Sequence, residues 1–135
     1  MKVFLDANIL FSGAPASSRM RAFLDVLIAR AECVTNTYAV EEARRNLELK
    51  LPGSLAGLDA IVRRCEVVPV LVVELAVGLK PKDQPILAGA IVSHATHLLT
   101  GDKTDFGHLY GKTVQGVKIV SPPLLADEIV ALGWL

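Results

Sequence analysis

The sequence predicts a three-layer α/β/α sandwich around a central, mostly parallel sheet, and three observations carry that expectation. Short apolar runs at residues 3–5, 33–35, 98–100 and 117–120 alternate with helix-period segments too long to be hairpin loops. That is the pattern of parallel strands joined by crossover helices. The first run, Val3, Phe4 and Leu5, has no polar side, as a strand covered on both faces requires. Finally, 135 residues with 52% hydrophobic content suffice for one core and leave no room for a second of ordinary size, so a single domain over residues 1–135 is expected.

The strand at residues 3–5 ends in Asp6 and, two residues on, Asn8. An acid there fits two readings equally: a cap or turn residue, or a functional group at the carboxyl end of a strand, where α/β sheets bind ligands. Residues 12–18, rich in Gly, Pro, Ala and Ser, read as a loop, and residues 20–31 as a helix with Phe23, Leu24, Leu27 and Ile28 at helical spacing. A strand at 33–35 leads to Asn36, an N-cap for a helix over 38–50 with Val40, Ala43, Leu47 and Leu51 on one side, stopped by Pro52 and Gly53. Ser54 caps a further helix through Leu55, Leu58, Ile61 and Val62. Residues 66–73 favour a strand by β-branched content, while 71–77 also fit a short helix ending near Gly78.

Asp83 precedes a first-turn proline, Pro85, in a helix that runs through Leu87, Ala90, Ile91 and Ala95 to His97; its small residues Ala88, Gly89 and Ala90 permit close approach to the sheet. Residues 98–100 form a strand, 101–105 a polar loop, 106–110 a turn or short helix, 117–120 a strand and 122–132 a closing helix with proline at its start.

Composition narrows the function classes. A formal net charge of +0, from 14 Lys+Arg against 14 Asp+Glu, gives no global basic field, so any nucleic-acid contact must be local. Cys33 and Cys65 lie outside any CxxC pair and read as buried thiols rather than as a disulfide or zinc site. No apolar run reaches the roughly 20 residues a bilayer crossing needs and no secretory leader opens the chain, so a cytoplasmic protein is expected. The apolar surplus predicts a homodimer through helices 20–31 or 55–65.

Sorted by position, the acids fall together. Asp6 follows the first strand, Glu41 and Glu42 lie early in the helix after the second, Asp83 opens a helix, and Asp102 and Asp105 follow the strand ending at Thr100. Parallel strands put all of these on one edge. Two carboxylates about 4 Å apart repel by about 4 kcal/mol at an effective dielectric of roughly 20, so such a group needs protonation or a cation, and hard oxygen donors suit Mg²⁺ or Mn²⁺. Other residues read as structural: His94, His97 and His108 as surface or hydrogen-bonded histidines, the Arg44–Arg45 and Arg63–Arg64 pairs as solvated helix faces, and Trp134 as an anchor on the body or on a partner subunit.

Four segments in order, FLDANIL, VEEA, KDQPILAGAI and LLTGDKTDF, resemble the successive signatures of PIN-domain nucleases, in particular their toxin-like, VapC-related branch. The resemblance covers residues 1 to about 132. It implies Asp6, Glu41, Asp83 and Asp102 as the catalytic acids, with Asp6, Asp83, Asp102 and Asp105 as metal ligands, Asp105 either binding the ion or bracing its loop. Asn8 and Thr100 match supporting positions. Neighbours on a helix point about 100° apart, so at most one of Glu41 and Glu42 faces the metal; the spacing the resemblance implies from the preceding strand favours Glu41, leaving Glu42 to pair with Arg45 or Asn46 to bond across it.

The implied activity is Mg²⁺- or Mn²⁺-dependent endoribonucleolytic cleavage of single-stranded RNA leaving a 5′-phosphate, by a homodimer that pairs with an antitoxin. Lys80, Lys82, Lys103, Arg19 and Arg21 lie near the expected edge and could hold the RNA backbone. The rival is a catalytically inactive PIN-like domain that binds RNA or protein. A phosphatase with Asp6 as nucleophile would need a second acid where this chain has Asn8.

Overall fold

Strand β1 (Lys2–Leu5) takes the centre of a six-stranded sheet because it is the strand most completely apolar: Val3, Phe4 and Leu5 are all fully buried. The computed structural model describes residues 1–135. In chain order, β1 is followed by α1 (Ala7–Gly13), α2 (Arg19–Arg30), β2 (Glu32–Asn36), α3 (Thr37–Lys50), α4 (Leu55–Val62) and β3 (Glu66–Val68). Then come α5 (Gln84–Val92), β4 (His97–Leu99), α6 (Lys103–Phe106), β5 (Thr113–Val114), β6 (Val117–Val120) and α7 (Pro122–Ala131). The sheet order is β3-β2-β1-β4-β6-β5. All neighbours are parallel except β5 and β6, so the mostly parallel sheet expected from the sequence is present, with one antiparallel edge.

Side chains alternate along a strand, so β1 serves two layers. Phe4 faces α5: a Cβ on Gly89 would lie 2.7 Å from the Phe4 ring and 2.6 Å from the Asn36 amide, the close approach that the small residues of this helix permit. Helices α1 to α4 pack on one another in a second layer, and α7 lies along β6. The result is a PIN-like α/β/α sandwich built on one cluster of 30 buried apolar residues.

Strand order reverses at β1: successive crossovers lead outward to β2 and β3, and the chain then returns to place β4 on the other side. The gap beyond the carboxyl ends of β1 and β4 is the switch point, where side chains from both ends can converge on a ligand.

Several elements depart from the expectations. The segment after Asp6 is a helix, α1, where the sequence showed only a return to apolar residues before a loop; seven residues are too few to display helical periodicity. Helix α5 stops at Val92 instead of reaching His97, since His94 adopts φ 57° and turns the chain into β4, which holds His97. The apolar spacing of the VSHATHLL run hid that turn. Residues 69–80 form neither the strand extension nor the helix considered for them. The β5–β6 hairpin was also missed; its two-residue turn puts Gln115 at φ 48° and Gly116 at φ 86°, both positive as a primed turn requires.

Cys33 is buried, Cys65 partly so, and neither is bridged; burial pushes their thiols up to about 12 and about 11. Trp134 packs against the core, as an anchor would. No helix is long and apolar enough to cross a membrane.

Candidate metal centre

Asp6 is 5% exposed and stitched to both sides of the switch point. Its backbone N–H donates to Leu99 (3.1 Å), its Oδ1 accepts from the Ala7 N–H (2.6 Å), and its Oδ2 accepts from the Thr100 hydroxyl (2.8 Å) and the Asn8 amide (3.0 Å). The same two neighbours order the next loop: Asn8 Oδ1 accepts from Gly101 N–H at 2.8 Å, and Thr100 Oγ1 from Asp102 N–H at 3.1 Å. Tyr110 closes the network by donating to the Thr100 carbonyl. Asp6 thus caps α1 and also lies in the cleft wall at the carboxyl end of β1. Burial outweighs these hydrogen bonds and raises the Asp6 carboxyl to about 6.

Asp83 stands at the start of α5 but does not cap it with its side chain. Its Oδ1 lies 3.5 Å from Lys82 Nζ, and its Oδ2 is buried with no partner. Burial, then the neighbouring Asp105 carboxylate, raises the Asp83 carboxyl to about 6. An unpaired buried carboxylate oxygen is costly, and a cation beside it removes that cost.

Asp102 caps α6, its Oδ1 accepting from the Asp105 N–H at 3.0 Å; the loop expected over 101–105 is thus partly a helical turn. Oxygens of Asp83, Asp102 and Asp105 lie within 4.8 Å of one another, a spacing that lets three carboxylates chelate one divalent ion. Two lysines already occupy Asp105: Lys80 Nζ sits 2.9 Å from its Oδ1, and Lys82 Nζ 2.7 Å from its Oδ2. Lys82 and then Lys80 hold that carboxyl well below the usual carboxylate range, and Asp105 in return holds the Lys82 ammonium above its ordinary value.

A cleft of about 330 Å³ opens over the switch point, with Asp6, Asn8, Glu42, Lys82, Asp83 and Asp102 in its wall. The helical acid is placed differently from expectation. Glu42 lines the cleft and raises the Asp6 carboxyl by its charge, whereas Glu41 is exposed beside Arg44. Ala39, Ala43 and Leu47 set the buried stripe of α3, which turns Glu42, Asn46 and Lys50, spaced four apart, toward the cleft. Lys50 was not singled out in the sequence, and Asn46 only as a residue bonding near Glu42, although the i, i+4, i+8 spacing from Glu42 carries the signal.

The other expectations sort plainly. His97 is buried in β4, bonded to Thr96 and to Glu128 (3.0 Å), away from the acids. Arg44 and Arg64 are not merely solvated: they pair with Asp59 and Asp25, each at 2.7 Å. Arg21, expected near the active edge, instead donates to the carbonyls of Gly13, Ala14 and Gly57 and ties α1 to α4.

Fold and site together define a PIN-like α/β/α domain with carboxylates gathered at the switch point of its sheet. No protein family's sequence profile matches the chain, and no curated protein matches it. Solved structures do. The chain is similar to one in the crystal structure of VapBC2 from Rickettsia felis bound to a DNA fragment from their promoter, with TM-score 0.65 and 15% identity over 90% of this chain and 98% of that one. It is likewise similar to one in the structure of DNA-bound VapBC from Salmonella typhimurium, with TM-score 0.62 and 20% identity over 90% and 98% of the two chains. At these identities the likeness establishes the fold.

Proposed function

We propose that the protein is a Mg²⁺- or Mn²⁺-dependent endoribonuclease that hydrolyses phosphodiester bonds of single-stranded RNA. The observation that carries this reading is the buried, partnerless Asp83 Oδ2 within an all-oxygen cluster open to a cleft. A divalent ion there supplies an acidified water and charge neutralisation at the phosphate. Asp83 and Asp102 would hold the ion, with Asp6 facing them across the cleft. The Thr100 and Asn8 bonds to Oδ2 and the Ala7 bond to Oδ1 fix the Asp6 carboxylate and leave Oδ1 a further lone pair. Glu42 would orient a water in the cleft, in the place that the resemblance gives to Glu41.

The test is degradation of a labelled single-stranded RNA in Mg²⁺ or Mn²⁺ and in EDTA, with Asp6→Asn beside the parent. Cleavage should vanish in EDTA and fall by about a hundredfold or more in the variant. Parent activity that persists in EDTA refutes the assignment.

One observation favours a second reading, a non-cleaving RNA- or protein-binding domain: Lys82 already neutralises part of the acid cluster. Cleavage by the parent eliminates it. The likeness to chains in VapBC complexes supports a protein partner, an antitoxin in the family's usage, and a homodimer is proposed with it. Sedimentation at micromolar concentration showing only a 14.5 kDa species would remove the homodimer.

A further inference from the structure

We infer that Lys82 is a substrate-contacting residue, an ammonium held in the cleft wall by Asp105 to grip a non-bridging phosphate oxygen of the RNA, and that Asp105 serves as its anchor rather than as a metal ligand. The inference rests on the nuclease reading above and deepens it.

The geometry is specific to this lysine. Its ammonium lies 2.7 Å from Asp105 Oδ2, 3.5 Å from Asp83 Oδ1 and 3.8 Å from Asp102 Oδ2, so one of its three N–H donors is fully engaged while the other two point at acids from beyond good hydrogen-bond distance. A cation taken up by Asp83 and Asp102 draws those carboxylates to itself and frees the two donors. The side chain is 55% exposed and lines the cleft, so the freed donors face the space where a phosphate would sit.

The attachment is built from both ends. Tyr38 donates to the Lys82 carbonyl at 2.9 Å, fixing the backbone against α3. Asp105, only 7% exposed, spends its second oxygen on Lys80 at 2.9 Å, which holds its carboxylate in place. An ion bound to Asp105 would share its oxygens with two ammonium groups of like charge, whereas Asp83 Oδ2 has no partner at all. An ammonium placed beside a phosphate before the reaction also costs no reorganisation when charge develops on the oxygens.

The experiment compares the parent with Lys82→Met, Lys82→Arg and Asp105→Asn on three readouts. These are the Mn²⁺-induced rise in Tm, anisotropy of a fluorescein-labelled single-stranded RNA in Ca²⁺ over a salt series, and steady-state cleavage in Mg²⁺. Lys82→Met should keep or enlarge the Mn²⁺ shift. Its RNA affinity should drop roughly tenfold, the slope of log affinity against log salt should fall by about 0.7, as expected for one lost contact to a single strand, and kcat/KM should fall further than affinity. Lys82→Arg should restore most of the affinity. Asp105→Asn should keep the Mn²⁺ shift and lose kcat/KM in the same direction as Lys82→Met.

A Lys82→Met protein with parental affinity and salt slope overturns the inference, as does an Asp105→Asn protein that no longer responds to Mn²⁺. A parent that binds RNA without cutting it defeats the nuclease reading instead, and the anisotropy and salt slope then decide the role of Lys82 alone.

Discussion

Replacing Asp83 by Asn should make the metal-free protein more stable and at the same time indifferent to metal. The amide keeps an oxygen for Lys82 and places an uncharged group where the partnerless oxygen now sits. Burial and the neighbouring Asp105 carboxylate disfavour the ionised form in the folded state, and a buried polar atom left without a partner costs about 1–3 kcal/mol. Removing that cost should yield a gain of about 2 kcal/mol near neutral pH, or roughly 5–8 °C in Tm for a chain of this size. The pH dependence has a definite sign. Because the folded-state value lies above the unfolded one, the folded protein holds a proton that the unfolded chain has released between pH 3.8 and about 6. Stability of the parent therefore rises as pH falls through about 6 and stops rising below about 4. Asp6 contributes in the same direction and stays in the variant, so the difference between the two curves isolates Asp83. Thermal unfolding followed by circular dichroism, in EDTA across this range and in millimolar Mn²⁺ at constant ionic strength, measures both effects. Equal melting temperatures in EDTA near neutral pH, together with an undiminished Mn²⁺ increment, would refute the reasoning.

Glu42→Gln should lower RNA cleavage by about tenfold or more, whereas Glu41→Gln should be near silent; the opposite ranking would mean that α3 is rotated from the position described. Gly89→Val should cost about 2–3 kcal/mol in urea unfolding, because its Cβ alone would stand 2.6 Å from the Asn36 amide and 2.7 Å from the Phe4 ring. Asn8→Ala should reduce cleavage while leaving the chain folded, since it removes one of two side-chain donors to Asp6 Oδ2 and the acceptor of the Gly101 N–H. Circular dichroism beside the RNA assay separates the two effects.

The sheet was legible because apolar runs such as Val3 to Leu5 and Val117 to Val120 state their burial outright, and parallel topology then gathers acids from distant positions without any local motif. What escaped was set by geometry that pattern does not encode. Glu41 and Glu42 are equivalent in type, and only the seating of Ala39, Ala43 and Leu47 against the layer beneath decides which points inward. Helix α1 is too short for its period to show, and the turn at His94 depends on a left-handed backbone that neither Ser93 nor His94 announces. The lysines were visible as charges near the expected edge. That Lys82 sits within reach of three carboxylates, while Arg21 is spent on backbone carbonyls, follows from tertiary placement alone.

The switch point also has a history in time. Asp6 is synthesised well before the groups that complete its surroundings: the threonine that fixes it follows 94 residues later, beyond β4, with the acid that faces it close behind. At about 5–20 residues per second that delay is roughly 5–20 s. Throughout it β1 lacks one of its two neighbours, so a nascent chain carries Asp6 without the framework that orients it. Whatever the cleft acts upon meets a complete set of acids only after β4 and the loop beyond it have been made and docked beside β1.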